Sequence, residues 1–549
     1  MRRIPSTVWS RRRWLGATAT TALLAPVAAA APDIGTEVRR FHVCLAPPVV
    51  CRDPALLEVV RAAGIGAVWL AGFFYGHRPY PDDLLRQARA RVRDAGLEAH
   101  LINIPLGHPG DSLDAKDGSF PLTPPRHWRM ARRPDASEYA GTSLHDPATA
   151  ENQQAFREQR AFGFRRAFVD DDFRLARSPG EIGGCHCQEH HRRFFESSGI
   201  PASRRDELLD DLSVRRLTAL VRAWVEFQCD ALTASFRAQQ RAFRGELGTM
   251  IMVLGSEKAG IRLRDYRRVP LRVGEGMFDD AAFSPVKGKT DELFSVLFHR
   301  RFVDPERAFS ETTAFPVDRL SPVHLAAKLV TSTLADVRHT MFMSGLTPYP
   351  AGHWDILGPA MRHQACLHAR LAGAVPRGPL KHFWGEAQRT VGDDRPFSLW
   401  LAAGIPFEVA DRVPGEGWTF LSDFDARELA SERSLPTGRL LCRPSAPARP
   451  SAAEPIEESL PALFAFKRRI APDLEAVPHV IEETPAVCAW YPARRRALVW
   501  NLTPEPRSLT VRHGPRRHPI ALGPLEAGLI ELDPAVRTAK SFFTGDGAS

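Results

Sequence analysis

Between Phe41 and Gly345, short apolar runs alternate with longer stretches whose apolar residues recur every three or four positions. The short runs predict strands at Phe41–Ala46, Ala67–Phe74, Glu98–Ile104, Phe164–Asp172, Thr249–Gly255, Pro270–Gly274, Ala308–Thr312 and Thr340–Ser344. The stretches between them predict helices. Pro54–Ala63 carries Leu56, Leu57, Val59 and Val60, Pro81–Ala95 carries Leu84, Leu85 and Val92, and a long helical region covers Glu189 to Phe243. Eight strands alternating with helices over about 300 residues predict a parallel (β/α)8 TIM barrel.

The pattern changes past Gly378. Phe397–Leu401, Phe407–Val409 and Thr419–Phe424 predict strands of a second, small α/β unit, and a Pro/Ala/Ser/Glu-rich stretch from Arg443 to Pro461 reads as a loop or linker. Ala486–Trp490, Arg496–Asn501, Ser508–Arg512 and Gly528–Leu532 alternate apolar and polar residues and predict a small antiparallel β domain. The expected division is a leader over 1–31, a barrel over 36–377, a small α/β domain with its linker over 378–460 and a largely β domain over 461–540.

Composition changes this picture little until the first residues are read. At 549 residues with 44% hydrophobic and 25% charged residues, the chain is an ordinary globular protein of more than one domain. Its net charge of +9 is partly a property of the leader, because residues 1–31 contain five arginines and no acid, and +4 remains without them. No Lys/Arg stripe with interleaved aromatics follows, which argues against nucleic-acid binding. Ser10-Arg11-Arg12-Arg13-Trp14-Leu15 resembles a twin-arginine export motif, Gly16 to Val27 is apolar but short for a bilayer span, and Ala28-Ala29-Ala30-Ala31-Pro32 offers a small-residue cleavage site. The expected location is the periplasm or the extracellular space, with no membrane anchor after cleavage.

Candidate chemistry gathers where the predicted strands end. Val169-Asp170-Asp171-Asp172-Phe173-Arg174 places three carboxylates and a guanidinium after an apolar run, with Asp170 and Asp172 on one face and Asp171 on the other. Glu311 ends the seventh predicted strand, across the same barrel mouth. Two carboxylates facing each other there suit glycoside hydrolysis, and a separation of about 5–5.5 Å means retention of configuration. Phe73, Phe74, Tyr75 and His77 follow the second strand, His108 the third, and Tyr349, His353 and Trp354 the eighth. Flat apolar faces beside hydrogen-bonding groups suit a sugar ring. The loop from Pro105 to His145 is long enough to read as functional.

Eight cysteines in a chain of this length are not a disulfide scaffold. Cys185-His186-Cys187-Gln188-Glu189-His190 stands apart, because two thiolates and an imidazole at that spacing make three corners of a tetrahedral zinc site. His108, His145 and His191 are candidates for the fourth corner. Free thiols or a Cys185–Cys187 disulfide are the competing readings.

The order of parts resembles the family 42 glycoside hydrolases of clan A, the bacterial β-galactosidase type. In that family the acid/base glutamate follows Asp-Asn at the end of strand four, a nucleophilic glutamate ends strand seven, and a zinc-binding cysteine motif often follows the acid/base. Carried onto this chain, the resemblance implies Asp172 as acid/base, Asp171 in place of the asparagine, Glu311 as nucleophile, and a structural rather than catalytic zinc on Cys185, Cys187 and His190. The small α/β unit resembles one that mediates trimers in the relatives, which implies a possible homo-oligomer. Asp171-Asp172 departs from the family's Asn-Glu, removing an amide that holds a sugar hydroxyl and shortening the acid by one methylene.

The expected protein is therefore an exported, retaining glycosidase acting on a carbohydrate, with Asp172 and Glu311 catalytic and no cofactor for catalysis. Asp170, Asp171, Arg174, His77, His108 and Trp354 are expected around the sugar. Two other readings remain, a metal-dependent hydrolase using Asp170 and Asp172 and a non-catalytic glycan-binding barrel.

Overall fold

A computed structural model describes residues 38–106, 124–142, 144–170, 173–176, 180–274, 276–432 and 438–532. The described residues form one compact unit. Its centre is a closed barrel of eight parallel strands: Arg40–Leu45, Ala67–Phe74, Glu98–Ile104, Arg166–Val169, Glu246–Met252, Leu271–Gly274, Ala308–Thr313 and His339–Met343. Each strand pairs with its neighbours in sequence, and the first closes on the eighth through His42 opposite Met341. These are the eight expected strands, with ends shifted by up to three residues. The fourth is shortened most, since only Arg166–Val169 pairs and the acidic run lies beyond it.

Period-two alternation decides which residues fill the barrel. On the outward face Val43, Val68, Leu101, Val169, Ile251 and Phe342 join the main core under the helices. The helix Ala55–Ala63 buries Leu56, Leu57 and Val60 there, and Asp82–Asp94 buries Leu85, Ala88 and Val92. Each such leucine or valine contributes about 1.5–3 kcal/mol by leaving water. On the inward face Cys44, Trp69, Ile102, Phe168, Phe309 and Met341 form a separate cluster, with Phe309 stacked on His339 at 4.1 Å. Gly72 is required where strands two and three end: an added Cβ would lie 2.5 Å from Asn103 Oδ1, which accepts the Phe73 backbone N–H at 2.8 Å.

The lower part of the barrel interior carries neutral histidines. Trp69 Nε1–H donates to His42 Nδ1 at 3.2 Å, so the His42 proton sits on Nε2 and points at His339 Nδ1, 3.0 Å away. His339 Nε2–H is then directed to the Glu306 carbonyl at 3.3 Å. Every ring nitrogen in this relay is used, and a second proton on either ring would face another donor. Burial pushes His339 down to about 3 and holds His42 well below the ordinary histidine range, with the neighbouring His339 adding to the effect on His42.

Beyond the barrel, five parallel strands run in the order Phe407–Ala410, Leu380–Phe383, Trp418–Leu421, Arg439–Cys442, Ala453–Pro455. Two three-stranded antiparallel sheets follow, one of His479–Val480, Arg507–His513 and Arg516–Leu522, the other of Ala486–Tyr491, Arg496–Asn501 and Ala527–Glu531. The architecture is thus a TIM barrel, then a small α/β part, then a small β part. Phe397–Leu401, expected as a strand, is instead covered by the 3₁₀ helix Ser398–Ala402. Its apolar residues are three apart: Phe397 and Trp400 both stack on Phe420, at 4.8 and 5.5 Å, which a helical turn permits and a strand does not. The strand Arg516–Leu522 was not among the expected ones. It is an edge strand with one partner, where exposed charges and a proline are tolerated. The region Glu189–Phe243 is three helices, Gln188–Ser198, Arg205–Ser213 and Ala219–Phe243, interrupted at Gly199 and at Arg215, both in left-handed backbone. No helix among the described residues is long and apolar enough to cross a membrane.

The histidine relay makes stability depend on pH. In the unfolded chain His339 takes up a proton as pH falls through the ordinary histidine value of 6.5, but in the folded chain only near about 3. Its contribution is complete above the higher value and is lost on the way to the lower one. Urea unfolding between pH 6 and pH 4 is expected to show stability falling with pH, with a slope about 1.4 kcal/mol per pH unit smaller in His339→Gln than in the parent. Equal slopes would mean that His339 is already protonated in the native state.

Candidate functional site

The C-terminal ends of strands four, six and seven meet in one buried ionic cluster. Parity along strand four turns Phe168 inward, and Asp170, just past the last paired residue, follows it, with its backbone N–H held by the Asn103 carbonyl at 2.8 Å. Along strand six it turns Arg272 inward, and along strand seven Phe309 and Glu311. The Arg272 guanidinium touches Asp170 Oδ1 and lies with Nε 2.9 Å from Glu311 Oε2, all three side chains being at most 4% exposed. It also lies over the Phe168 ring at 5.2 Å and donates to Met341 Sδ at 2.8 Å. Thr313 Oγ1 donates to the other Glu311 oxygen at 2.6 Å.

One cation therefore serves two carboxylates. Both Glu311 contacts stabilise the ionised form, the state a nucleophile needs. Deleting one partner of a buried ion pair costs about 3–5 kcal/mol because it strands a charge. Losing Arg272 removes a cation from two carboxylates at once, whereas neutralising Glu311 leaves the Asp170–Arg272 pair in place. Arg272 was missed in the sequence, although a signal was there. It is the one charge in Pro270-Leu271-Arg272-Val273-Gly274, at an inward position of a short apolar strand.

The other candidates scatter around this cluster. Asp171, Asp172 and His108 lie outside the described residues. Arg174 is buried, and its Nε donates to the Ala176 carbonyl at 2.8 Å, within its own loop. His77 is half-buried in the turn after strand two, where its backbone exchanges hydrogen bonds with Phe74 at 2.7 and 2.9 Å. Trp354 is only 4% exposed and packs edge-on against Phe342 and Tyr349, so its ring is part of the core under strand eight.

The loop that carries the acids is braced from two sides. Leu175 N–H bonds the Ala259 carbonyl at 3.1 Å and Gly183 N–H the Lys258 carbonyl at 2.6 Å, both in the loop after strand five. Arg215 donates to the Gly180 carbonyl at 2.6 Å and to the carbonyls of Val391 and Gly392 at 2.8 and 2.9 Å, linking the acid loop to the α/β part. The fully buried Lys258 ammonium pairs with Asp394 of the same part at 2.7 Å.

Beside this loop His145, Cys187 and His190 place donor atoms within 4.8 Å of one another, all buried. Cys187 Sγ is 3.5 Å from His145 Nε2 and 3.3 Å from His190 Nδ1. Tetrahedral zinc with bonds of about 2.3 Å to sulfur and about 2.1 Å to nitrogen sets an S···N edge of about 3.6 Å, so the donors fit such an ion. Cys185 adjoins Cys187: its thiol, raised in pKa, hydrogen-bonds the Cys187 sulfur, and that bond first, then those from His145 and His190, lowers Cys187 against the opposing effect of burial. Of the candidates for the fourth corner, His145 is in place. His191 is turned away, with Nε2 3.2 Å from His186 Nδ1 and its ring 5.1 Å from that of Trp224.

No protein-family model matches the sequence, and no curated protein matches it. Solved structures do match the fold. Two structures of a GH42 beta-galactosidase, one of them a catalytic mutant from G. stearothermophilus, each align with a TM-score of 0.56 at 9% identity, covering 89% of this chain and 97% of theirs. Alpha-L-fucosidase isoenzyme 2 from Paenibacillus thiaminolyticus aligns with a TM-score of 0.53 at 9% identity over 90% of this chain and 100% of its own. At this identity the likeness is one of fold, extending past the barrel into the parts that follow it.

Proposed function

We propose that the protein is an exported glycoside hydrolase that cleaves a glycosidic bond with retention of configuration. The observation that carries the reading is the buried, ion-paired Glu311 of strand seven, joined through Arg272 to Asp170 just past strand four. The matching folds belong to glycosidases by their names, which adds support without fixing the substrate. In the proposed mechanism Glu311 attacks the anomeric carbon while Asp172 protonates the leaving oxygen, and Asp172 then takes a proton from the water that releases the sugar. Arg272 keeps Glu311 ionised and in place. A metal-dependent hydrolase built on Asp170 is disfavoured, because that carboxylate already holds the Arg272 guanidinium and a second cation would sit against it. Glu311 at 3% exposure is what favours the rival reading of a non-catalytic sugar binder. The leader over residues 1–31 supports export to the periplasm or beyond.

The same reading includes a structural zinc held by Cys187, His190 and His145; Cys185, expected as a ligand, hydrogen-bonds Cys187 but is not among the residues whose donor atoms all lie within 4.8 Å of one another. Such an ion holds the long loop after strand three, which brings His145, against the segment after strand four, which brings Cys187 and His190. It would take no part in the chemistry.

Glu311→Gln is expected to fold and to lose activity on a panel of chromogenic glycosides by a factor on the order of 10⁴ to 10⁶. Turnover within about tenfold of the parent would sink the assignment of Glu311. The product anomer, followed by proton NMR during turnover, is expected to match that of the substrate; inversion would exclude the two-step route. Elemental analysis is expected to find about one zinc per chain in the parent and almost none in Cys187→Ser, with a thermal midpoint lowered by several degrees. Equal zinc content in both would remove Cys187 from the ligand set.

A further inference from the structure

The inward face of strand seven ends in an aromatic ring. Phe309, Glu311 and Thr313 share that face at 2, 3 and 6% exposure, and Phe315, the next position of the same parity, is 53% exposed. Ala314 between them is fully buried in the core under the helices, which keeps the alternation in step. The rise in exposure marks where the barrel interior opens to water. The backbone that carries Phe315 is held from two sides: Ala314 N–H donates to the Met343 carbonyl of strand eight at 3.0 Å, and Phe315 N–H to the Phe278 carbonyl, in the loop after strand six, at 3.2 Å. At about 3.3 Å per residue, four residues put the Phe315 Cα about 13 Å above that of Glu311.

The ring is free for a ligand. Of the six large apolar side chains that are exposed among the described residues, Phe315 is the aromatic one, the others being valines and isoleucines. It stacks on no other aromatic ring among the described residues. One edge lies against Gly345 in the loop after strand eight, where an added Cβ would be 3.5 Å from Phe315 Cε2 and 3.7 Å from its Cδ2. Gly345 is in left-handed backbone, φ +61°, so that position favours the absence of a side chain and leaves the flank of the ring open. A single exposed apolar side chain on an outer surface needs no explanation. This one is a flat ring on a fixed backbone, on the face that carries Glu311, and the CH face of a pyranose matches it while the sugar hydroxyls stay in water.

We infer that Phe315 is an aromatic platform for a distal ring of a saccharide chain whose bond is cut at Glu311. A single sugar seated at Glu311 falls short of the platform, whereas a trisaccharide spans the distance. The inference rests on the glycosidase reading and adds that the substrate is an oligosaccharide or polysaccharide of pyranose rings rather than a simple glycoside.

The experiment is calorimetric titration of the full chain carrying Glu311→Gln, which removes turnover. The probes are β-linked homotrisaccharides of galactose, glucose, mannose and xylose and the corresponding methyl monosaccharides. At least one trisaccharide is expected to bind about tenfold or more tighter than its monosaccharide. Adding Phe315→Ala is expected to cut that ratio to about threefold or less. Phe315→Leu, which keeps an apolar side chain of similar size but no ring, is expected to lose the preference too and guards against misfolding of the alanine variant. Phe315→Tyr and Phe315→Trp are expected to keep it. A chain that binds none of the trisaccharides more tightly than the monosaccharides overturns the proposal, as does a preference that survives in the alanine or the leucine variant. The glycosidase reading is decided separately, by turnover of chromogenic glycosides in the parent and in Glu311→Gln. Turnover that needs Glu311, with a length preference indifferent to Phe315, rejects the platform and leaves that reading standing; a ring-dependent preference without turnover keeps the platform and rejects the reading.

Discussion

Arg272 is the residue on which the mouth of the barrel depends. Two carboxylates from opposite sides of a closed sheet converge in a space from which water is nearly excluded, and the guanidinium between them favours the ionised form of both. Strand six supplies it, at the inward position opposite Phe309 of strand seven. The aromatic layer beneath, Trp69, Phe168 and Phe309, closes the barrel from below and gives the guanidinium a flat face to rest on. What results is a charged floor on an apolar plug, with the lower interior reserved for neutral histidines.

Above that floor the important contacts run between parts of the chain that lie far apart in sequence. The acid loop is anchored to the strand-five loop by backbone hydrogen bonds, and through Arg215 to the α/β part. The long loop after strand three reaches the same place through His145 and through its hairpin, Met130–Arg132 with Glu138–Thr142. A loop that carries three carboxylates keeps them in place only when something rigid holds it, and here three elements share the task. The α/β part therefore supports the loop after strand four.

The barrel could be read because each strand is a buried apolar run and each helix an amphipathic one, and both patterns are local. The same parity argument that put Asp170 and Asp172 on one face also turned Asp170 inward beside Phe168. Where a pattern was ambiguous, packing decided. Phe397 to Leu401 is apolar enough for a strand, but the shared contact of Phe397 and Trp400 with Phe420 needs a turn of helix. In the edge strand Arg516–Leu522 a proline and an alanine lie on the exposed face and a histidine on the inner one, so the alternation that sequence patterns report is blurred.

The site was legible in part, for the same reason. The sequence by itself determined the barrel, the position of Glu311 at a strand end, and a cysteine–histidine spacing suited to zinc, because these depend on residues near one another in the chain. Partners more than 100 residues apart were beyond it: Arg272 meeting Asp170, and Arg215 joining Gly180 to Val391. The choice of His145 over His191 was likewise set by the fold, since His191 spends its ring on His186 and Trp224. Trp354, expected at the sugar site, went to the core because Phe342 and Tyr349 enclose it. Local pattern reports burial and periodicity, whereas which charges meet is decided only when the barrel closes and brings distant strand ends to one mouth.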